Sequence, residues 1–411
     1  MAHPLTTPAT LIKAAPSAWV IVALATLAQA GPGWIVQGVP VLYPFIQVDW
    51  DLSRAQVGLI TSAVMAGSML TGLPGGLLAD RWGVRRVVTG ALALVAFLFV
   101  GFSAATALWM ALALSFLAGM ANSPLYPATS KAVMDWIPQR SRGLGMGIKQ
   151  TGAMLAGVAA AAILPAIATA YSWRIGVLVI VAMIILTSLI FGMFYREKPR
   201  TTDERHAAAG GNIFAIFKDR SLIALTVWGT ALMGLQFVVI SHMSLFLVQE
   251  VQLSAVAAGG LVSIVLLASS VGRVAWGAIS DAILGGRHLV ALSALGIAAS
   301  IAAAATGFVT VGTPVIVLTL LVIALGATAM GWIALFTVVV AEVAGAERSG
   351  TALGTVNTVL RIGMVSSPPL FGLLVDMSGS YTLAWGAAAA VALVSTAALP
   401  VFARKRSAAT D

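Results

Sequence analysis

The sequence predicts an all-α membrane protein with twelve transmembrane helices in two pseudo-symmetric six-helix bundles. Three observations carry that expectation. Apolar runs of spanning length fill most of the chain, a charged stretch interrupts them near the midpoint, and a motif beginning at Leu52 returns in the second half.

Composition sets the class. Of 411 residues, 60% are hydrophobic and 9% charged, whereas a soluble domain carries roughly 25% charged residues. Most of the surface therefore meets something other than water. A spanning helix takes about 20 apolar residues to cross ~30 Å of hydrocarbon at ~1.5 Å per residue. There is no cysteine, which excludes disulfides and thiolate metal sites, and the four histidines lack zinc spacing. No cofactor and no metal are expected. The net charge of +9 does not mark a nucleic-acid partner, because the basic residues sit in short loops between apolar runs.

Apolar runs between charges and Gly/Pro/Asn punctuation place the helices in order. After a polar lead, the first covers 17–46 and is read as an uncleaved span, since no small-residue cleavage site follows a short apolar region. The next five cover 54–79, 86–105, 107–134, 143–170 and 173–195. The stretch from Arg196 to Arg220 holds most of the charge at mid-chain. Six more follow at 221–249, 254–280, 288–309, 312–341, 350–376 and 381–403. The expected organisation is an N-terminal bundle over 1–195, a cytoplasmic central loop over 196–220, and a C-terminal bundle with a short cytoplasmic tail over 221–411. With both termini inside, only Arg54 and Arg174 of the 23 basic residues lie outside, and Lys149, Arg273 and Arg361 lie within spans. That asymmetry satisfies the positive-inside rule and places the chain in the cytoplasmic (inner) membrane.

The halves repeat with an offset of 201. Leu52, Ser53, Gly58, Ser62, Val64, Ser68, Gly76 and Asp80 fall on Leu253, Ser254, Gly259, Ser263, Val265, Ser269, Gly277 and Asp281. The match runs from an expected Leu-Ser helix cap to the Asp that ends the span. Duplicated halves suggest a carrier with cargo held between them near mid-membrane.

The run Gly75-Gly76-Leu77-Leu78-Ala79-Asp80-Arg81-Trp82-Gly83-Val84-Arg85-Arg86 resembles the signature between the second and third helices of the major facilitator superfamily. Gly272-Arg273 through Asp281 echoes it. The resemblance covers essentially the whole chain and implies alternating access, with Asp80, Arg81, Arg85 and Asp281 as latch residues. Pro124-Leu125-Tyr126-Pro127-Ala128 and the run from Arg140 to Gly152 resemble the fourth and fifth helices of organic-anion and nitrate/nitrite porters.

Intramembrane charge narrows the cargo. An ionised side chain at the bilayer centre costs ~2.5–3.5 kcal/mol even on insertion scales, so one retained there points to function. Lys149, Arg273 and Arg361 qualify, while every Asp and Glu falls in a loop, a tail or a span end. Buried cations need partners, and the missing counter-ion is most simply the substrate. Two guanidinium forks suit carboxylates and planar oxyanions. Arginines on helices 8 and 11 resemble the basic pair of oxalate/formate exchangers, and the surroundings of Arg273 resemble monocarboxylate and nitrate carriers. Nitrate porters also carry an arginine on helix 2, where this chain has Gly72, so organic acids come first.

Asn122, Tyr126, Gln150, Asn357 and Trp332 are expected to join the site, Asn357 because it lies one turn from Arg361. Gln29, Gln37 and Gln236 are further candidates to line the cavity. The run Gly31-Pro32-Gly33 is expected to loosen helix 1. Proton coupling, if used, falls to His242, since no deep carboxylate exists. The expected partners are a small anion, protons and the lipid bilayer, with the chain as a monomer. Exchange and symport stay level. A nitrate/nitrite or other inorganic-anion porter, an exporter of a larger amphipathic compound and a non-transporting receptor remain alternatives. A cationic-drug exporter lacks its buried carboxylate here, a neutral-sugar carrier would not need stranded arginines, and an enzyme lacks any nucleophile–base pair or nucleotide loop.

Overall fold

The computed structural model describes residues 18–198, 219–345 and 348–403. Residues 199–218 of the expected central loop (196–220) and the basic tail from Arg404 lie outside them, as do side chains at 72–76, where Gly72 stands. The first span is a composite of α1 (Ala18–Gly33), a π-turn (Trp34–Gly38), a 3₁₀ turn (Val39–Leu42) and α2 (Tyr43–Trp50). Pro32 and Pro40 lack N–H groups, and the switch in hydrogen-bond register accommodates them. The loosening expected of Gly31-Pro32-Gly33 is thus present. Then follow α3 (Arg54–Trp82), α4 (Val84–Ser103), the pair α5 (Leu108–Asn122) and α6 (Leu125–Trp136), α7 (Arg142–Ala170) and α8 (Trp173–Phe194). The second set comprises α9 (Arg220–Gln249), α10 (Ala255–Ala282), α11 (His288–Thr306), the pair α12 (Val315–Ala329) and α13 (Ile333–Ala344), α14 (Ser349–Ser378) and α15 (Tyr381–Ala403).

Eleven of these rods are long and apolar enough to cross a membrane, and α3, with 29 residues, stands between the first and second of them. Large apolar side chains such as Phe97, Trp109 and Met193 are exposed on the outside, which is the surface a bilayer solvates. The chain is a multi-pass membrane protein.

Within the first bundle, helices approach closely at small residues. A Cβ on Gly152 would fall on the Thr26 carbonyl, and one on Gly119 on the Val64 carbonyl. These contacts bring α7 against α1 and α5 against α3, the small-residue packing that replaces hydrophobic driving force inside lipid.

The repeat found in the sequence marks the seam between the bundles. Ser53 and Ser254 cap α3 and α10, accepting from Gln56 N and Ala257 N. Gly58 packs against the Pro368 backbone of α14, and Gly259 against Ala161 of α7. Ser62 Oγ donates to Val365 O at 2.6 Å, and Ser263 Oγ to Val158 O at 3.1 Å. The α3–α14 and α7–α10 pairs are therefore pseudo-symmetric copies of one contact. These bonds occupy the half of the molecule away from the chain termini, here called the distal side. Arg361–Ser68 and Ser269–Met154 also cross between the bundles, closer to mid-span. The bundles are closed on the distal side.

Candidate functional site

Where the seam ends, a cavity of ≈ 330 Å³ opens between the bundles. From the first bundle it is lined by Gln29, Pro32, Gly33, Val36 and Gln37 of the composite span, Met65 and Ser68 of α3, Asn122, Ser123 and Tyr126 at the α5–α6 break, and Ala153 of α7. From the second come Phe237, Arg361 and Met364. The irregular point expected at Gly31-Pro32-Gly33 and the α5–α6 break, which the sequence reading did not anticipate, thus form its wall. A break leaves backbone groups without helical partners, and a cavity is where such groups are tolerated.

Arg361 is the one charged group in this lining. Its Nη1 donates to the Ser68 carbonyl at 2.8 Å, across the seam. Ser123 Oγ donates to the same carbonyl at 2.9 Å. No carboxylate pairs with Arg361 among the described residues.

The amide side chains turn their oxygens away. Gln29 Oε1 accepts the Thr129 hydroxyl at 3.1 Å, while Gln37 Oε1 and Asn122 Oδ1 are buried without a partner. Gln37 Nε2 donates to Met154 Sδ at 3.8 Å, so the Arg361 guanidinium is the charge-bearing donor group of the lining.

The other predicted binding residues go elsewhere. Lys149 is fully buried; its Nζ donates to Ser130 Oγ at 2.7 Å and sits 4.1 Å from the Tyr126 ring centroid. It stands behind the cavity wall, held by a hydroxyl and a cation–π contact. Arg273 does not line the cavity, and its buried Nε has no partner. Register along the α7–α10 seam (Ser263 with Val158, Ser269 with Met154) puts Arg273 one turn further toward the terminal side, near the level of Gln150. Neither Gln150 nor the exposed Asn357 reaches the lining. Trp332 is a correction. Its indole N–H is taken by Gln236 Oε1 at 3.1 Å, and its ring packs edge-on against Trp228 and Phe336. It is core, and it holds Gln236 there with it.

The latch residues are staples within each bundle in this conformation. Asp80 Oδ1 receives Lys131 Nζ at 2.6 Å, joining α3 to α6. Asp281 faces His288 Nε2 at 3.1 Å, and Glu342 faces His288 Nδ1 at 2.7 Å, joining α10, α11 and α13. Arg85 uses its Nε on Gly192 O at 2.6 Å and its backbone N–H on Glu197 at 2.7 Å. Arg81 is exposed. Lys131 and His288 escaped the sequence reading, because a partner on another helix leaves no spacing signal.

A second polar cluster, missed entirely, closes the distal side. Asp376 accepts from the backbone N–H groups of Arg54 at 3.1 Å and Ala55 at 2.9 Å, capping α3 from the opposite bundle. The Arg54 guanidinium reaches Asp376 at 3.5 Å, Gln249 at 3.1 Å and the Tyr381 hydroxyl at 3.2 Å. Gln249 also bonds Gln47. His242, the predicted coupling residue, lies beside this cluster and away from the cavity lining.

Comparison with known proteins agrees with this architecture. The Major Facilitator Superfamily model matches residues 18–368 and 243–410. The chain is 25% identical to the hexuronate transporter of Bacillus subtilis (strain 168), over 88% of this chain and 89% of that one. It is 25% identical to a probable sulfoacetate transporter of Cupriavidus necator, over 84% of each chain. In three dimensions it is similar to the nucleoside transporter NupG, with a TM-score of 0.75, 14% identity, and 94% of this chain and 99% of that one covered. With twelve spans in two repeated bundles around a central cavity, this chain belongs to the major facilitator superfamily and is a secondary transporter, not an enzyme.

Proposed function

We propose that the protein carries a small organic anion, a mono- or dicarboxylate, by rocking its bundles about the central cavity. The observation that supports it most is Arg361: the charged group of the cavity lining, with no carboxylate paired to it among the described residues. A guanidinium bonded once to a carbonyl keeps further donors for a bidentate carboxylate. The ≈ 330 Å³ cavity is of the size that holds a small acid. Hexuronate and sulfoacetate, named for two relatives, are both organic acids. Exchange and proton symport both fit this reading. By the positive-inside asymmetry the termini are cytoplasmic and the cavity opens inward. Lys149, buried behind the Tyr126 wall, and Arg273, one turn beyond the lining, add a positive field that favours an anion at Arg361.

A thermal-shift screen of purified protein tests this with lactate, oxalate, glucuronate and sulfoacetate, with tetraethylammonium as the cationic control. Stabilisation by one or more acids that disappears in Arg361→Ala supports the reading. Stabilisation by the cation alone, or by an acid equally in Arg361→Ala, overturns it.

A further inference from the structure

His242 is 0% exposed in the middle of the distal seam, where the anion cavity does not use it. Both ring nitrogens have set partners. Nε2 lies 3.3 Å from the Arg54 carbonyl oxygen, which can only accept, so Nε2 carries the hydrogen. Nδ1 lies 2.7 Å from Ser241 Oγ, whose hydroxyl can donate to it in place of its longer 3.4 Å bond to the Val238 carbonyl. Phe371 covers the ring, with centroids 5.0 Å apart. The neutral imidazole therefore fits with both ring nitrogens partnered.

The charged and titratable groups around it leave no place for a second cation. From α3 comes Arg54, already positive. From α14 comes Asp376, whose oxygens are committed to the Arg54 and Ala55 N–H groups and to the Arg54 guanidinium. From α15 comes Tyr381, bonded to Arg54 and Gln249. On α2, Tyr43 is bonded to Thr61 and Asp49 is tied to Arg174, while Asp51 beyond it is exposed. Glu250 ends α9 itself, and α10, α12 and α13 bring no ionisable group to the distal end. A protonated His242 would lie next to Arg54 with no carboxylate of its own, out of water.

We propose that His242 is a proton-binding site that gates the distal side. The seam closes on the neutral imidazole. Protonation takes place while the seam is open to water and holds it open, so each closure requires His242 to give up its proton. This gate rests on the seam geometry and not on the identity of the cargo, so it stands or falls separately from the anion site.

The native sequence has no cysteine, so a spin-label pair can be placed without background. Val48→Cys in α2 and Met377→Cys in α14 are exposed positions on either side of the distal seam. Distances between the labels are measured in nanodiscs at pH 8 and pH 5. We expect the short-distance population to fall several-fold from pH 8 to pH 5. In His242→Gln, which keeps an N–H for the Arg54 carbonyl but cannot titrate, it should stay at its pH 8 level throughout. His242→Asn serves as a second neutral variant if His242→Gln is not monodisperse. No pH response in the native background, or the same response in either neutral variant, overturns the proposal.

Discussion

Arg361 donates to the carbonyl of Ser68 at 2.8 Å, and at the pseudo-symmetric position Ser269 Oγ meets Met154 Sδ at 3.6 Å. The offset that maps Val365 onto Val158 across the two seams also maps Arg361 onto Met154, and Ser68 and Ser269 are repeat partners. The bundles thus share one frame, and the cation was placed in only one copy. Under the proposed function, cargo would be held asymmetrically, anchored to the second bundle through Arg361.

The first prediction concerns that anchor. Arg361→Ala should abolish acid-induced stabilisation. Arg361→Lys should keep part of it, because a lysine supplies charge without the planar fork. The loss expected of the lysine variant is roughly tenfold in apparent affinity, the worth of about one charge-assisted hydrogen bond. Isothermal titration with the best acid from the screen measures it.

A second prediction follows from close approach at the seam. Gly58 abuts the Pro368 backbone and Gly259 abuts Ala161. Gly58→Leu should overpack the closed distal side by about 1–3 kcal/mol. The label pair at Val48 and Met377 should then report a longer distance at every pH, unlike the pH-dependent opening assigned to His242.

The Asp80–Lys131 staple is exposed at both ends, with side chains 58% and 37% accessible. Such a pair contributes at most about 1 kcal/mol to stability. Asp80→Asn should leave the melting temperature nearly unchanged while slowing turnover in proteoliposomes. The exchange Asp80→Lys with Lys131→Asp should restore part of the rate, and an unchanged rate in Asp80→Asn would count against a latch.

Trp332 provides the opposite case. Its Ala variant should lose about 3–5 kcal/mol of stability, as for a large aromatic removed from a packed core. Trp332→Phe should be milder, and the folded fraction should respond to acids as the native protein does. A selective loss of acid binding would return Trp332 to the site.

Much of the fold was legible because bilayer thickness fixes the length of an apolar run. Each expected helix end lies within a few residues of the observed one, as for 173–195 against Trp173–Phe194. The repeat was legible for a further reason: its identities are the seam contacts themselves. Within the site, Arg361, Asn122, Tyr126, Gln29 and Gln37 reach the cavity as expected. Lys149 and Arg273 do not, because in helices apolar on every face no stripe of hydrophobicity reports which way a charge turns. Lys149 finds Ser130 and the Tyr126 ring on a different helix. The distal lock was hidden by distance along the chain, since Arg54 and Asp376 are 322 positions apart and each reads locally as a loop charge. Such pairs become visible only when the bundles are assembled.

The most direct test of the central claim is counterflow into proteoliposomes loaded with unlabelled acid, using radiolabelled glucuronate and oxalate. The account predicts transient accumulation of at least one of them by the native protein and none by Arg361→Ala reconstituted at equal density. Accumulation undiminished in Arg361→Ala would contradict it, and so would native protein that moves tetraethylammonium but neither acid.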